Sequence, residues 1–152
     1  MAVLEKISTL DDMKQLMGEL HRLEAKHLYD FYGALQDFSS KKLLPSWLQK
    51  KSVSNVFVSE KGNDILLKVS ESKRLSVIVY DLETPDCNGL QFLSALGKNA
   101  ELKANCKVIL ATPKLPVDAQ TKLLHLGAAA LTSKPLSEDG LLAVFEKIGL
   151  DY

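Results

Sequence analysis

The residues best suited to chemistry are Asp81, Thr112 and Lys134, each closing a short β-rich run: VIVYD (77 to 81), VILAT (108 to 112) and AALTSK (129 to 134). A carboxylate, a hydroxyl and an ammonium at successive strand ends would converge on one small pocket. That set handles phosphoryl groups: the carboxylate can act as nucleophile, while the hydroxyl and the lysine bind the oxygens of the transferred group. Pro135 directs Lys134, and a cis Lys134-Pro135 bond suits so tight a loop. Asn88-Gly89 suits a turn into the next helix.

These residues need a scaffold that brings strand ends together. After residue 53, β-rich runs alternate with helical ones: NVFVS, DILLKVSES, SVIVYD, GLQFLSALGKN, KVILAT, DAQTKLLHLG, AALTS and SEDGLLAVFEKIG. Such alternation predicts an α/β fold of three layers, a parallel sheet with helices on both faces. The continuous apolar runs VIVY and VIL fit strands buried on both sides, and the loops leaving the strand ends build the site.

The N-terminal third has a different period. From Thr9 to Phe38 apolar residues recur at steps of three and four, among them Met13, Met17, Leu20, Leu28, Phe31 and Leu35. This predicts a long amphipathic helix, or two with a break near residues 25 to 27, capped by Thr9. About 29 residues at 1.5 Å each extend roughly 43 Å, more than one small domain can cover, so those six residues are expected to pair two copies. The stretch 39 to 52 reads as a connector with one short turn beginning at Pro45. Its lysines 41, 42, 50 and 51 read as a solvated face. The expected organisation is therefore a helical segment and connector over 1–52 and an α/β domain over 53–152.

Composition narrows the function. Nineteen basic side chains balance nineteen acidic ones, so no overall field draws the chain to nucleic acid or to an anionic membrane. No apolar run reaches the roughly 18 residues of a membrane span. Cys87 and Cys106 match neither a metal spacing nor a disulfide framework, which fits the reducing cytoplasm. His21 and His27 do not share a helical face and form no metal site.

Residues 53 to 150 resemble the receiver domain of bacterial two-component response regulators, whose best-known single-domain member is the chemotaxis regulator. The matching pieces are SEKGNDIL (59 to 66), VIVYDLETPDCNGLQFL (77 to 93), VILAT (108 to 112) and LGAAALTSKP (126 to 135). Thr112 lies 31 residues after Asp81, and Lys134 lies 22 after Thr112, much as the family requires. The resemblance implies a flavodoxin-like receiver fold. It makes Asp81 the phosphoacceptor, Thr112 the switch hydroxyl and Lys134 the lysine that meets the phosphoryl group. It further implies a histidine kinase as partner, a signalling role without enzymatic activity, and Mg2+ as cofactor with Asp81 among its ligands.

Several positions depart from the family. Receivers carry two acids at the end of the first strand, and no strand ending in two acids precedes residue 53; Glu60 is the remaining candidate ligand. Leu131 replaces the aromatic switch residue, and Pro113 removes a backbone amide beside Thr112. The expectation is an atypical receiver, weakly phosphorylated on Asp81 or not at all, that acts through protein contacts. The alternative is a fully phosphorylatable receiver. The first strand belongs in the middle of the sheet. Either AVLEKIS (2 to 8) supplies it, or the helical segment replaces it and the sheet is rearranged or completed by a second chain. VIVYDLET also resembles the opening motif of haloacid-dehalogenase-like phosphatases, but only 71 residues follow Asp81 and they contain no late acidic pair at a strand end.

Overall fold

A computed structural model of the chain describes residues 12–16, 29–53, 55–72 and 74–150. Five strands, β1 (Tyr29–Ala34), β2 (Val56–Ser59), β3 (Leu75–Asp81), β4 (Cys106–Thr112) and β5 (Ala130–Ser133), form one sheet in the order β2-β1-β3-β4-β5. Every pairing is parallel. Six helices join them: α1 (Phe38–Lys50), α2 (Gly62–Glu71), α3 (Gly89–Gly97), α4 (Ala100–Asn105), α5 (Val117–His125) and α6 (Glu138–Lys147). Residues 12–16 are also helical. No helix among the described residues is long and apolar enough to cross a membrane.

Strand parity sorts the side chains into two cores. Phe31, Val77, Val79, Ile109 and Ala111 face α1 and α6, where they meet Leu44, Trp47, Leu48, Leu141 and Phe145. Tyr32, Ala34, Ile78, Tyr80, Val108 and Leu110 face the other way, onto Ile65 and Val69 of α2, Phe92 and Leu96 of α3 and Leu123 of α5. The three expected layers are present. On the first side, Phe145 stacks on Phe31 at 6.1 Å and meets Trp47 edge-on at 4.9 Å.

The N-terminal reading needs correction. Residues 29 to 34 form the interior strand between β2 and β3, so neither AVLEKIS nor a second chain is required to fill that slot. The error has a physical source: Phe31 and Leu35 are four apart, a spacing that places them on one face of a helix and equally on one face of an extended chain. Both are core residues, 2% and 1% exposed, and neither can pair two copies. Leu35 continues the extended backbone, its N–H donating to the Ser59 carbonyl. Of the other proposed pairing residues, Met13 is half exposed, while Met17, Leu20 and Leu28 lie outside the described residues.

Most of the stretch 39 to 52, read as a connector, is helical: α1 runs through residue 50. Asp37 caps that helix from its β-region conformation, and Pro45 sits inside it without ending it. Gly33 lets α1 approach the strand, since a Cβ there would lie 2.8 Å from Leu44 Cδ2. The sheet thus draws on residues from both sides of position 52.

The loop after β3 is tied to the start of α2. Lys61, the N-cap of α2, makes no side-chain cap bond; the Asp86 carboxylate accepts from Gly62 N at 2.9 Å and Asn63 N at 3.0 Å instead. Partial burial would raise the Asp86 carboxyl, but these amides together hold it below its ordinary value. The Tyr80 hydroxyl donates to the Cys87 carbonyl, and its ring stacks on Phe92 at 4.2 Å. Burial, followed by that hydrogen bond, pushes the Tyr80 phenol above its ordinary range. A Cβ on Gly62 would overlap the Tyr80 hydroxyl.

Two measurements check this packing. Phe31→Ala lowers stability by about 3–5 kcal/mol in denaturant unfolding; a variant of unchanged stability that only loses self-association would contradict a core role. Asp86→Asn leaves a single carbonyl oxygen for the Gly62 and Asn63 amides and removes the charge at the start of α2, which costs about 1 kcal/mol at neutral pH. The folded pKa of Asp86 is depressed, so its contribution is present above the unfolded value and vanishes as pH falls below about 4. The stability gap between wild type and Asp86→Asn therefore narrows as pH falls below about 4, and a gap that stays constant into acid would refute the assignment.

Candidate functional site

β1 lies between β2 and β3 in the sheet; the connection leaving β1 runs to α1 on one face and the one leaving β3 runs to α3 on the other, which opens a crevice at the carboxyl ends of these two strands. Asp81 ends β3 and is 2% exposed. Its Oδ1 accepts from Lys134 Nζ at 2.9 Å and from the Glu83 backbone N–H at 2.9 Å. The Thr84 hydroxyl and N–H both donate to the Asp81 carbonyl, which closes the turn that follows. Asn88 caps α3 through a reciprocal pair of bonds with Gln91, as its place before Gly89 suggested.

Lys134 follows β5, its N–H donates to the Thr112 carbonyl at 3.0 Å, and the Lys134-Pro135 bond is cis. Burial pulls the Lys134 ammonium down, but the carboxylates of Asp81 and Glu83 outweigh it and hold its pKa above the ordinary lysine value. The Glu83 carboxylate lies 3.2 Å from Lys134 Nζ. Asp81 and Lys134 are therefore in direct contact. Thr112 stands at the end of the neighbouring strand, 5% exposed, and its hydroxyl makes no hydrogen bond among the described residues. Leu131 is half-buried and packs against the core that contains Tyr80.

An open cleft above Asp81 is lined by Gln36, Asp37, Ser39, Lys134 and Pro135 as well. Gln36 and Asp37 had no counterpart among the expected site residues, because the strand that leads into them was read as helix. Asp37 Oδ2 accepts from Ser40 N at 2.9 Å and from Ser39 Oγ at 2.8 Å. Burial would raise the Asp37 carboxyl, but the bonds from Ser40 and Ser39 outweigh it and hold it below its usual value. The cap signature Asp37-Phe-Ser-Ser at the start of α1, after the aromatic run YDFY, was the available clue. Gln36 Nε2 donates to the Glu60 carbonyl at 2.7 Å and reaches Thr84 Oγ1 at 3.5 Å, joining the ends of β1, β2 and β3.

Glu60 is not a cleft ligand. Its exposed carboxylate pairs with Lys41, which holds it below the ordinary glutamate value. Among the described residues no group of three or more His, Cys, Asp or Glu side chains is placed to hold a metal ion. Asp37 and Asp81 are the two acids of the cleft. Mg2+ keeps several waters and is commonly held by one or two carboxylates together with substrate phosphate, so these two acids match that cation in ligand type.

Known proteins share this fold. The family model of the response regulator receiver domain matches residues 37–146. The chemotaxis response regulator CheY4 of Vibrio cholerae superposes with a TM-score of 0.69 at 18% identity, covering 80% of this chain and 98% of that one. The receiver domain of a signal transduction histidine kinase from Syntrophus aciditrophicus gives 0.65 at 17% identity, covering 78% and 88%. A response regulator receiver protein from Pseudomonas putida gives 0.62 at 17% identity, covering 78% and 94%. No curated protein matches the chain. With the family model spanning most of its length, the chain belongs to the response regulator receiver domain family.

Proposed function

We propose that this receiver domain accepts a phosphoryl group weakly on Asp81 from a histidine-kinase partner and acts through protein contacts. The observation that carries the reading is the Lys134 ammonium held 2.9 Å from a buried Asp81 carboxylate, in a cleft that also presents Asp37. In the transfer an Asp81 oxygen attacks phosphorus. The new O–P bond forms as the N–P bond to the phosphohistidine imidazole breaks; the imidazole nitrogen keeps the electron pair and takes a proton from solvent. Lys134 donates to a phosphoryl oxygen and offsets its charge, and the Thr112 hydroxyl is a second donor at the adjacent strand end. Magnesium on Asp37 and Asp81 would neutralise phosphoryl oxygens when bound.

The weakness has three sources in this chain. Gln36 is neutral at the end of the first strand, where the family carries an acid, so the cation site loses a charge. One oxygen of Asp37 is already committed to the cap of α1. Pro113 offers no amide beside Thr112. A second reading, a receiver that binds partners without phosphorylation, is favoured by the scarcity of acids able to hold a metal. Pairing of two copies through Met13, Met17, Leu20 and Leu28 rests on the apolar pattern alone.

The test is Mg2+ with beryllofluoride, followed by NMR at the backbone amides of residues 81 to 84, 112 and 114. Saturable shifts there, absent in Asp81→Ala, are expected at millimolar additive. Spectra that stay unchanged would sink phosphoryl acceptance and leave the binding-module reading.

A further inference from the structure

Lys134 is shared. Its Nζ lies 2.9 Å from Asp81 Oδ1 and 3.2 Å from Glu83 Oε2, so two carboxylates hold one ammonium. The arrangement is built from its root: the Glu83 N–H donates to Asp81 Oδ1, and the Thr84 hydroxyl fastens the same turn to the Asp81 carbonyl. The turn that positions the nucleophile therefore also delivers a second acid to the lysine. Glu83 reaches it from the solvent side, its side chain 66% exposed against 22% for Lys134 and 3% for Asp81.

Charge makes the consequence unfavourable for an incoming phosphoryl group. Before transfer, Asp37, Asp81 and Glu83 set three negative charges against the positive charge of Lys134. After it, the single charge of the Asp81 carboxylate is replaced by about two on the phosphoryl group. Glu83 is then a like charge beside the new group and a rival acceptor for the same ammonium hydrogens.

We propose that Glu83 is a positioning residue that competes with the phosphoryl group for Lys134 and so holds down the phosphorylated fraction at Asp81. This rests on the phosphoryl-accepting reading above. The substitution Glu83→Gln keeps shape and removes charge at an exposed position, so the fold is retained. The variant is expected to lower the beryllofluoride midpoint, read from the Asp81 and Thr112 amides in Mg2+, by roughly two- to fivefold, the range of a solvent-screened ion pair. A second readout needs no ligand: the ammonium protons of Lys134 exchange with water faster in Glu83→Gln, as seen in nitrogen-labelled lysine spectra. Shifts in both proteins with equal midpoints, a midpoint raised by the substitution, or unchanged lysine exchange overturn the role of Glu83. Absence of shifts in both proteins defeats the phosphoryl-accepting reading itself, and the competition with it.

Discussion

The fold depends on β1 being paired along both edges. All six of its residues pair with β3, and four of them, Phe31 to Ala34, pair with β2 as well; a buried strand without those partners would strand donors and acceptors away from water. Pairing sets the register that puts Ala34 beside Tyr80, and so brings the segment after β1 up against Asp81. The Phe31, Trp47 and Phe145 contacts then hold α1 and α6 over the strand. Everything in the cleft is downstream of that placement.

Asp81 shows why the cleft has its composition. A carboxylate at 2% exposure has lost most of its water, a cost that only close donors can offset. Lys134 and the Glu83 amide supply two such bonds to one oxygen. Asp37 is handled differently: it is satisfied by the first turn of its own helix. The two acids lining one cleft thus owe their environment to different devices, one to a distant cation and the other to local backbone and hydroxyl donors.

Much of this could be read from the sequence where the chain is regular. VIVYD and VILAT are apolar for the run that a doubly covered strand needs, and Asp81 and Lys134 meet as their places at strand ends implied. The first strand was hidden because Phe31 and Leu35 satisfy two periods at once, and because YDFYGA is short and follows a long helical pattern. The cost was the loss of Gln36 and Asp37 from view, since a residue at a strand end has meaning only once the strand is recognised. Pro45 misled in the same way: it marks helix starts more often than interiors, yet α1 runs through it. Glu60 was ambiguous for a different reason, because no local pattern tells whether a surface acid turns to a cleft or to a neighbouring lysine.

The two faces of the strand ends are unequally open. Asp81 shares its parity with Val77 and Val79, which look toward α1 and α6, and the residues around it come from the entrance of α1 and the loop before α6. The opposite side is shut by Tyr80, Cys87, Gly62 and Asp86, where even one added methyl group would collide. The carboxylate is therefore reachable from one face of the sheet and closed from the other, and on the open face Ser39 and Pro135 stand beside it in the cleft.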